Sequence, residues 1–330
     1  MPDSLRLGLV GTGWISTLHL TALERLGRTS VVGVVSRSLE RASSVADRWG
    51  GTAYTDLVRM LEEVRPDVVY VCLPPDRAPA ACRVLVERRI PFLTEKPLSA
   101  TAEGAEGVGA ALSAAARDGP PLVVAVGYQW RALDFLPRVR ARLAERPARL
   151  VLARWTGTMP PPPWWRRVEE SGGQVVEQAT HLYDLARSLV GEAEVVAAAS
   201  HRANRPDAPD ANVDDLAASL LRFRDGAIGS FVNASISDAG WVELELLSNG
   251  WRSSIRLESD DSGMHWTLAL DDGAGEELVE ARRDPYEVQS EVFLDAVVAG
   301  DAGRVLCTYD EALRTDRLVR SVVTATGSSG

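Results

Sequence analysis

Gly11-Thr12-Gly13-Trp14-Ile15-Ser16 lies between an apolar run, Leu5 to Val10, and a stretch of helical periodicity, Trp14 to Leu26. This strand–turn–helix arrangement restricts the fold more than any other feature of the chain. The first glycine permits a tight turn, the second lets the main chain approach a pyrophosphate, and the small Ser16 allows close helix–strand packing. The N–H groups of the first helical turn then point at an anion. Gly11, Gly13 and the backbone of Trp14 and Ile15 therefore read as a dinucleotide cradle, with a purely structural glycine turn as the alternative.

The pattern continues beyond the turn. Val31 to Val35, Val68 to Leu73, Pro91 to Thr94 and Leu122 to Gly127 read as strands. Leu39 to Trp49, Pro79 to Arg89 and Ala100 to Arg117 read as helices between them. Such alternation predicts βαβ units on a parallel, doubly wound sheet of Rossmann type. After Tyr128 the texture changes. Helices are predicted over Leu133 to Glu145 and Gln174 to Val190, and the prolines after Met159 form a loop. Short β-rich runs between Glu194 and Glu280, separated by turns such as Arg224-Asp225-Gly226 and Ser248-Asn249-Gly250, predict an antiparallel meander. Helices over Tyr286 to Ala299 and Asp310 to Thr324 close the chain. The reading is an α/β chain of two domains: 1–127 for dinucleotide binding, and 128–330 as an α+β substrate and oligomerisation domain, with the last helices free to pack back on the first.

An NAD enzyme commonly carries an acid at the end of the second strand, bonding the ribose 2′-hydroxyl. This chain has Ser36-Arg37-Ser38 there. A guanidinium and hydroxyls suit a 2′-phosphate, so the sequence favours NADP(H) over NAD(H). Leu73 and Pro74, at the end of a later strand, complete the expected cofactor contacts together with Glu95 and Lys96.

Lys96 is the only lysine among 36 basic residues. Arginine replaces a surface lysine at little cost, but it cannot replace an amine that must be compact and tunable. Glu95-Lys96-Pro97 follows a predicted strand at the carboxyl edge of the sheet, where ligands of doubly wound folds sit. An ammonium there can hold a substrate oxygen and stabilise alkoxide charge. A second cluster, Glu177, His181 and Asp184, has i, i+4, i+7 spacing, which places all three on one face of a single helix. Histidine can accept a hydroxyl proton near neutral pH. His19, His201 and His265 have no comparable neighbours in sequence.

Composition narrows the partners. The net charge of −10 and the scattered arginines oppose a nucleic-acid interface. No apolar run reaches the ~20 residues that span a bilayer. Three widely spaced cysteines, Cys72, Cys82 and Cys307, form neither a disulfide framework nor a zinc pattern. With no signal-peptide pattern at the start, the expected compartment is the cytoplasm, and no metal is expected.

Gly11-Thr12-Gly13, Glu95-Lys96-Pro97, Gly127-Tyr128-Gln129 and Gly172-Gly173 leading to His181 together resemble the glucose–fructose oxidoreductase, inositol dehydrogenase and rhizopine-catabolism (Gfo/Idh/MocA) family over nearly the whole chain. The resemblance implies a second domain with a large, open, mostly antiparallel sheet. It further implies hydride transfer between NAD(P) and a sugar, sugar derivative or cyclitol, and a homodimer or homotetramer. Lys96 matches the family's lysine and His181 its proton-transfer histidine. Glu177 stands where an aspartate is usual, and Ala78 where a histidine is frequent. Trp164-Trp165-Arg166 is similar to a Trp-Arg element near cofactor and substrate. The resemblance thus makes Tyr128, Gln129, Trp165 and Arg166 the border of a polyhydroxylated small-molecule site. Two other readings remain open: a non-catalytic dinucleotide-sensing regulator, and an NAD-assisted glycosidase.

Overall fold

The computed structural model describes residues 4–202, 205, 208–260 and 263–327. The chain divides into two compact units, Met1–Ala132 with Asp284–Leu313, and Leu133–Arg283 with Arg314–Gly330. The division is not a single cut near residue 127, because segment 284–313 belongs to the first unit.

In the first unit the chain runs β1 (Leu5–Val10), α1 (Trp14–Leu26), β2 (Thr29–Val35), α2 (Leu39–Trp49), β3 (Thr52–Tyr54), α3 (Leu57–Val64), β4 (Val68–Val71), α4 (Ala78–Glu87), β5 (Phe92–Thr94), α5 (Ala102–Arg117) and β6 (Val124–Val126). All six strands pair in parallel in the order β3-β2-β1-β4-β5-β6. A parallel sheet is covered on both faces, so its strands read as continuous apolar runs. Val10, Val35, Val69, Val71, Phe92 and Val124 face one core, and Leu7, Leu9, Val34, Val68, Tyr70 and Leu93 the other. Side chains of Asp56 and Thr101 cap α3 and α5 by accepting the Arg59 and Gly104 N–H groups. The sequence reading passed over β3 and α3. A three-residue strand and an eight-residue helix leave too short a pattern to register.

The second unit contains α6 (Leu136–Glu145), β7 (Leu150–Thr158), α7 (Val168–Ser171), α8 (Gln174–Glu177), α9 (Thr180–Val190), and then β8 (Ala193–His201), β9 (Leu216–Phe223), β10 (Ile228–Ala234), β11 (Ile236–Ser248), β12 (Trp251–Asp260), β13 (Gly263–Asp271) and β14 (Glu276–Glu280). The strands form one sheet in the order β14-β13-β12-β11-β7-β10-β9-β8. It is antiparallel except for the β7–β10 pair, so the meander is broken where β7 inserts between β10 and β11. Burial alternates along β9, with Leu221 and Phe223 inward and Leu220 outward, as for a sheet with one face on a core. Helix α10 (Pro285–Ala299) returns to the first unit, and α11 (Tyr309–Ala325) is divided after Leu313.

The predicted single helix over 174–190 is a correction. It is two helices, α8 and α9, separated by a turn at Gln178 and Ala179, where the Ala179 N–H reaches back to the Gln174 carbonyl. Glu177 ends the first helix, and His181 is the second residue of the next.

Candidate functional site

The first unit builds its part at the switch point. Strand order reverses on either side of β1, between β2 and β4, and the turn from β1 into α1 lies at that crevice. Gly11 has φ +103°, and a Cβ there would lie 2.1 Å from the Cys72 carbonyl oxygen. Only glycine fits. Gly13 differs: its backbone is extended, it caps α1 with no side-chain bond, and a Cβ there would meet nothing within 4 Å. The turn is therefore closed against the sheet at Gly11 and open outward at Gly13. Open space before the first-turn N–H groups of a 13-residue helix fits a pyrophosphate.

Around this turn the Ser36 and Thr12 hydroxyls are 3.0 Å apart, which joins the end of β2 to the glycine loop. Ser38 is occupied in capping α2 through the Arg41 N–H. Arg37, between the two serines, is exposed. Ser36 thus joins the glycine loop, while Ser38 is spent on the helix. At the end of β4, the Pro74 carbonyl accepts the Arg77 and Ala78 N–H groups and starts α4 after Leu73.

Lys96 directly follows β5 and its flanking Glu95. The Glu95 carboxylate, counted above among cofactor contacts, is turned inward. One oxygen lies 2.7 Å from His19 Nε2, and the other accepts the Lys96 backbone N–H at 3.1 Å. Glu95 is 6% exposed and His19 is fully buried on α1. The imidazole is flanked edge-on by Tyr70 and Tyr286, each at 5.3 Å between ring centres. Burial, with the Glu95 carboxylate adding to it, pushes the Cys72 thiol and the Tyr286 phenol well above their ordinary ranges. Sequence reasoning missed His19. Its signal is its place on the inward stripe of α1 with Ser16, Leu20 and Leu23, where a polar side chain must have a partner.

Tyr128 and Gln129 follow β6 and are 1% and 6% exposed. The Gln129 amide donates to the Tyr286 hydroxyl at 2.9 Å. Both side chains are thus buried in the first unit.

In the second unit, Trp165 is 1% exposed and its indole N–H donates to Glu177 Oε2 at 2.7 Å. Trp165 thus holds the Glu177 carboxylate from within the second unit. Arg166, the next residue, is only partly buried. His181 is 5% exposed and stacks on Trp155 of β7, with ring centres 5.8 Å apart and planes 17° apart. Asp184 accepts the Thr315 hydroxyl at 2.8 Å, and the same hydroxyl accepts Arg187 Nε at 3.1 Å. Arg187 also donates to Glu192 at 2.6 Å. These contacts assign Asp184 to a buried structural network that ties α9 to α11.

Residues 5–120 match the family model described as GFO_IDH_MocA, oxidoreductase family, NAD-binding Rossmann fold, and residues 147–252 match the GFO/IDH/MocA C-terminal domain. The chain belongs to this family. Myo-inositol dehydrogenase Hyg17 of Streptomyces leeuwenhoekii is 27% identical over 93% of each chain. Among solved structures, KijD10, a 3-ketoreductase from Actinomadura kijaniata in complex with NADP and TDP-benzene, superposes with a TM-score of 0.84 at 21% identity, covering 98% of both chains. Levoglucosan dehydrogenase in complex with NADH gives 0.85 at 18% identity over 98% of this chain and 97% of that one. Membership makes the chain an NAD(P)-dependent oxidoreductase in general terms, with the glycine turn and Glu95-Lys96-Pro97 inside the range of the Rossmann model.

Proposed function

We propose that the protein catalyses reversible hydride transfer between NADP(H) and a hydroxyl-bearing carbon of a sugar, sugar derivative or cyclitol. The observation that carries this reading is the position of the chain's only lysine: Lys96 lies two residues beyond β5, at the carboxyl edge of the parallel sheet, with its backbone N–H held by Glu95. The names of the relatives, a myo-inositol dehydrogenase, a 3-ketoreductase and a levoglucosan dehydrogenase, support a polyhydroxylated substrate.

In this reading Gly11, Gly13 and the N–H groups of Trp14 and Ile15 hold the pyrophosphate. Ser36 and Arg37 receive the ribose with its 2′-phosphate, and Leu73 and Pro74 border the cofactor. The bound nicotinamide supplies the hydride acceptor or donor. Lys96 donates a hydrogen bond to the substrate oxygen and stabilises its negative charge as the C–H bond breaks. His181 takes the hydroxyl proton in oxidation and returns it in reduction. Glu177 serves His181 from the preceding turn, itself fixed by Trp165, and Arg166 contacts the substrate.

The test is nucleotide titration followed by a panel of sugars and cyclitols, read by the absorbance of reduced nicotinamide. Lys96→Met should bind nucleotide and lose at least ~10²-fold in turnover. A protein that binds nucleotide tightly but changes no member of the panel would be a sensor instead.

A further inference from the structure

Lys96 must present its amine at a fixed point if it is to hold a substrate oxygen, yet its residue follows a strand of only three residues, Phe92–Thr94. The surrounding contacts supply the missing rigidity. Glu95 Oε2 accepts the Lys96 N–H, and Oε1 is bonded to His19. Gly127 lies against the same carboxylate, where a Cβ would approach Glu95 Oε1 to 2.5 Å, Cδ to 2.7 Å and Oε2 to 2.8 Å. Tyr70 and Tyr286 grip the imidazole from two directions. Tyr286 is itself held by the amide of Gln129. The carboxylate thus has a donor on each oxygen and a glycine-sized gap around it. His19 belongs to α1, the helix that starts at the glycine turn, so the same helix carries the pyrophosphate cradle and the anchor of the lysine.

We propose that His19 is a positioning residue for Lys96, acting through the buried Glu95 carboxylate. The proposal rests on the role given to Lys96 above and extends it to a residue of the cofactor-binding helix. His19 touches no reacting atom. Its Nε2 fixes one carboxylate oxygen so that the other can hold the lysine backbone. Without that donor a buried carboxylate turns toward other donors or water, and the Lys96 turn follows it. Small displacements of a charge stabiliser are costly in rate, about 10- to 100-fold for shifts near 1 Å.

Because the chain has one lysine, protein grown on ¹³C,¹⁵N-lysine gives a single side-chain Cε resonance, and that resonance belongs to Lys96. It can be recorded on the full chain with NADP bound and without any substrate. His19→Leu removes the donor at similar volume. His19→Gln keeps an amide donor at comparable reach. Gly127→Ala crowds the carboxylate directly and leaves the His19 side chain in place. His19→Leu and Gly127→Ala should each shift or broaden the Cε resonance and lower kcat by about 10- to 100-fold, with a smaller change in nucleotide affinity. His19→Gln should remain near wild type in both measurements. If His19→Leu fails to fold, Gly127→Ala and His19→Gln carry the comparison: an unmoved resonance in the first, or a displaced one in the second, overturns the proposal. An unchanged resonance in folded His19→Leu also overturns it, whatever happens to turnover. Full activity in Lys96→Met would instead refute the catalytic reading of the lysine, and the resonance would still report whether His19 positions it.

Discussion

Gly11 and Gly13 lie two residues apart and should respond in opposite ways to the same added methyl. At Gly11 the methyl meets the Cys72 carbonyl at 2.1 Å, with φ at +103°. Two costs add there: about 1–2 kcal/mol for an L-residue at positive φ, and about 1–3 kcal/mol for overpacking. Gly11→Ala should therefore lose about 2–5 kcal/mol of stability in the cofactor-free protein, a fall in Tm on the order of 10 °C. At Gly13 the backbone is extended and the methyl enters empty space. A less favourable N-cap costs a few tenths of a kcal/mol to about 1, and reduced chain entropy in the unfolded state returns a similar amount. Gly13→Ala should keep the wild-type Tm within about 2 °C without nucleotide. The methyl then stands where a phosphate must approach the N–H groups. Losing one charge-assisted bond costs about 1.5–3 kcal/mol, or roughly 10- to 100-fold in nucleotide affinity. Calorimetric scans with and without NADPH, and titration of each variant, separate the two effects. If Gly13→Ala bound NADPH as tightly as wild type, the pyrophosphate would lie elsewhere, and the open side of the turn would have no part in binding.

Four further outcomes follow from the same structure. Arg37→Ala should weaken NADP binding by about 10- to 100-fold and leave NAD nearly unchanged; equal losses for both nucleotides would remove the 2′-phosphate role. His181→Ala should lower turnover by ~10²- to 10⁴-fold in either direction, and wild-type turnover in that variant would take the proton transfer away from His181. Thr315→Val deletes the hydroxyl shared by Asp184 and Arg187, and thermal unfolding should show a loss of about 1–3 kcal/mol with kcat unchanged; a large drop in kcat would return Asp184 to the chemistry. Cys72, Cys82 and Cys307 are buried, and burial pushes the Cys82 thiol up to about 12 and Cys72 well above its usual range. The native protein should accordingly resist a chromogenic disulfide reagent at mildly alkaline pH and react at all three thiols only when unfolded.

The parts of the fold legible in the sequence are those whose physics is local. Leu5–Val10 reads as a strand because a parallel sheet buries both its faces, and Trp14–Leu26 as a helix because a glycine turn precedes it. The break between α8 and α9 was not legible. Neither Gln178 nor Ala179 is a helix breaker, so nothing in local composition marks the turn that separates Glu177 from His181. Asp184 has the spacing of a catalytic helix face, but its partner Thr315 lies 131 residues away. Helical spacing shows which side chains can meet on one helix; it does not show which of them a distant segment will claim.

The site was legible in the same unequal way. Lys96 announced itself because arginine replaces lysine everywhere else in the chain, which is a property of composition. The pair that holds it did not, since His19 and Glu95 are 76 residues apart and each looks ordinary in its own neighbourhood. The last wall of that pair comes later still. Tyr286, on α10, covers the imidazole edge-on, and Phe293 from the same helix packs on Tyr70 at 5.7 Å. A fragment ending at Ala132 would contain the six parallel strands, the glycine turn and Lys96, but neither of these rings. Its His19–Glu95 bond would lose part of its cover from water, and a hydrogen bond between ionisable groups is more readily exchanged for solvent once it is wet. The return of segment 284–313 to the first unit is therefore part of how the lysine is held, and the chain completes that support only after the whole β7–β14 sheet has been laid down.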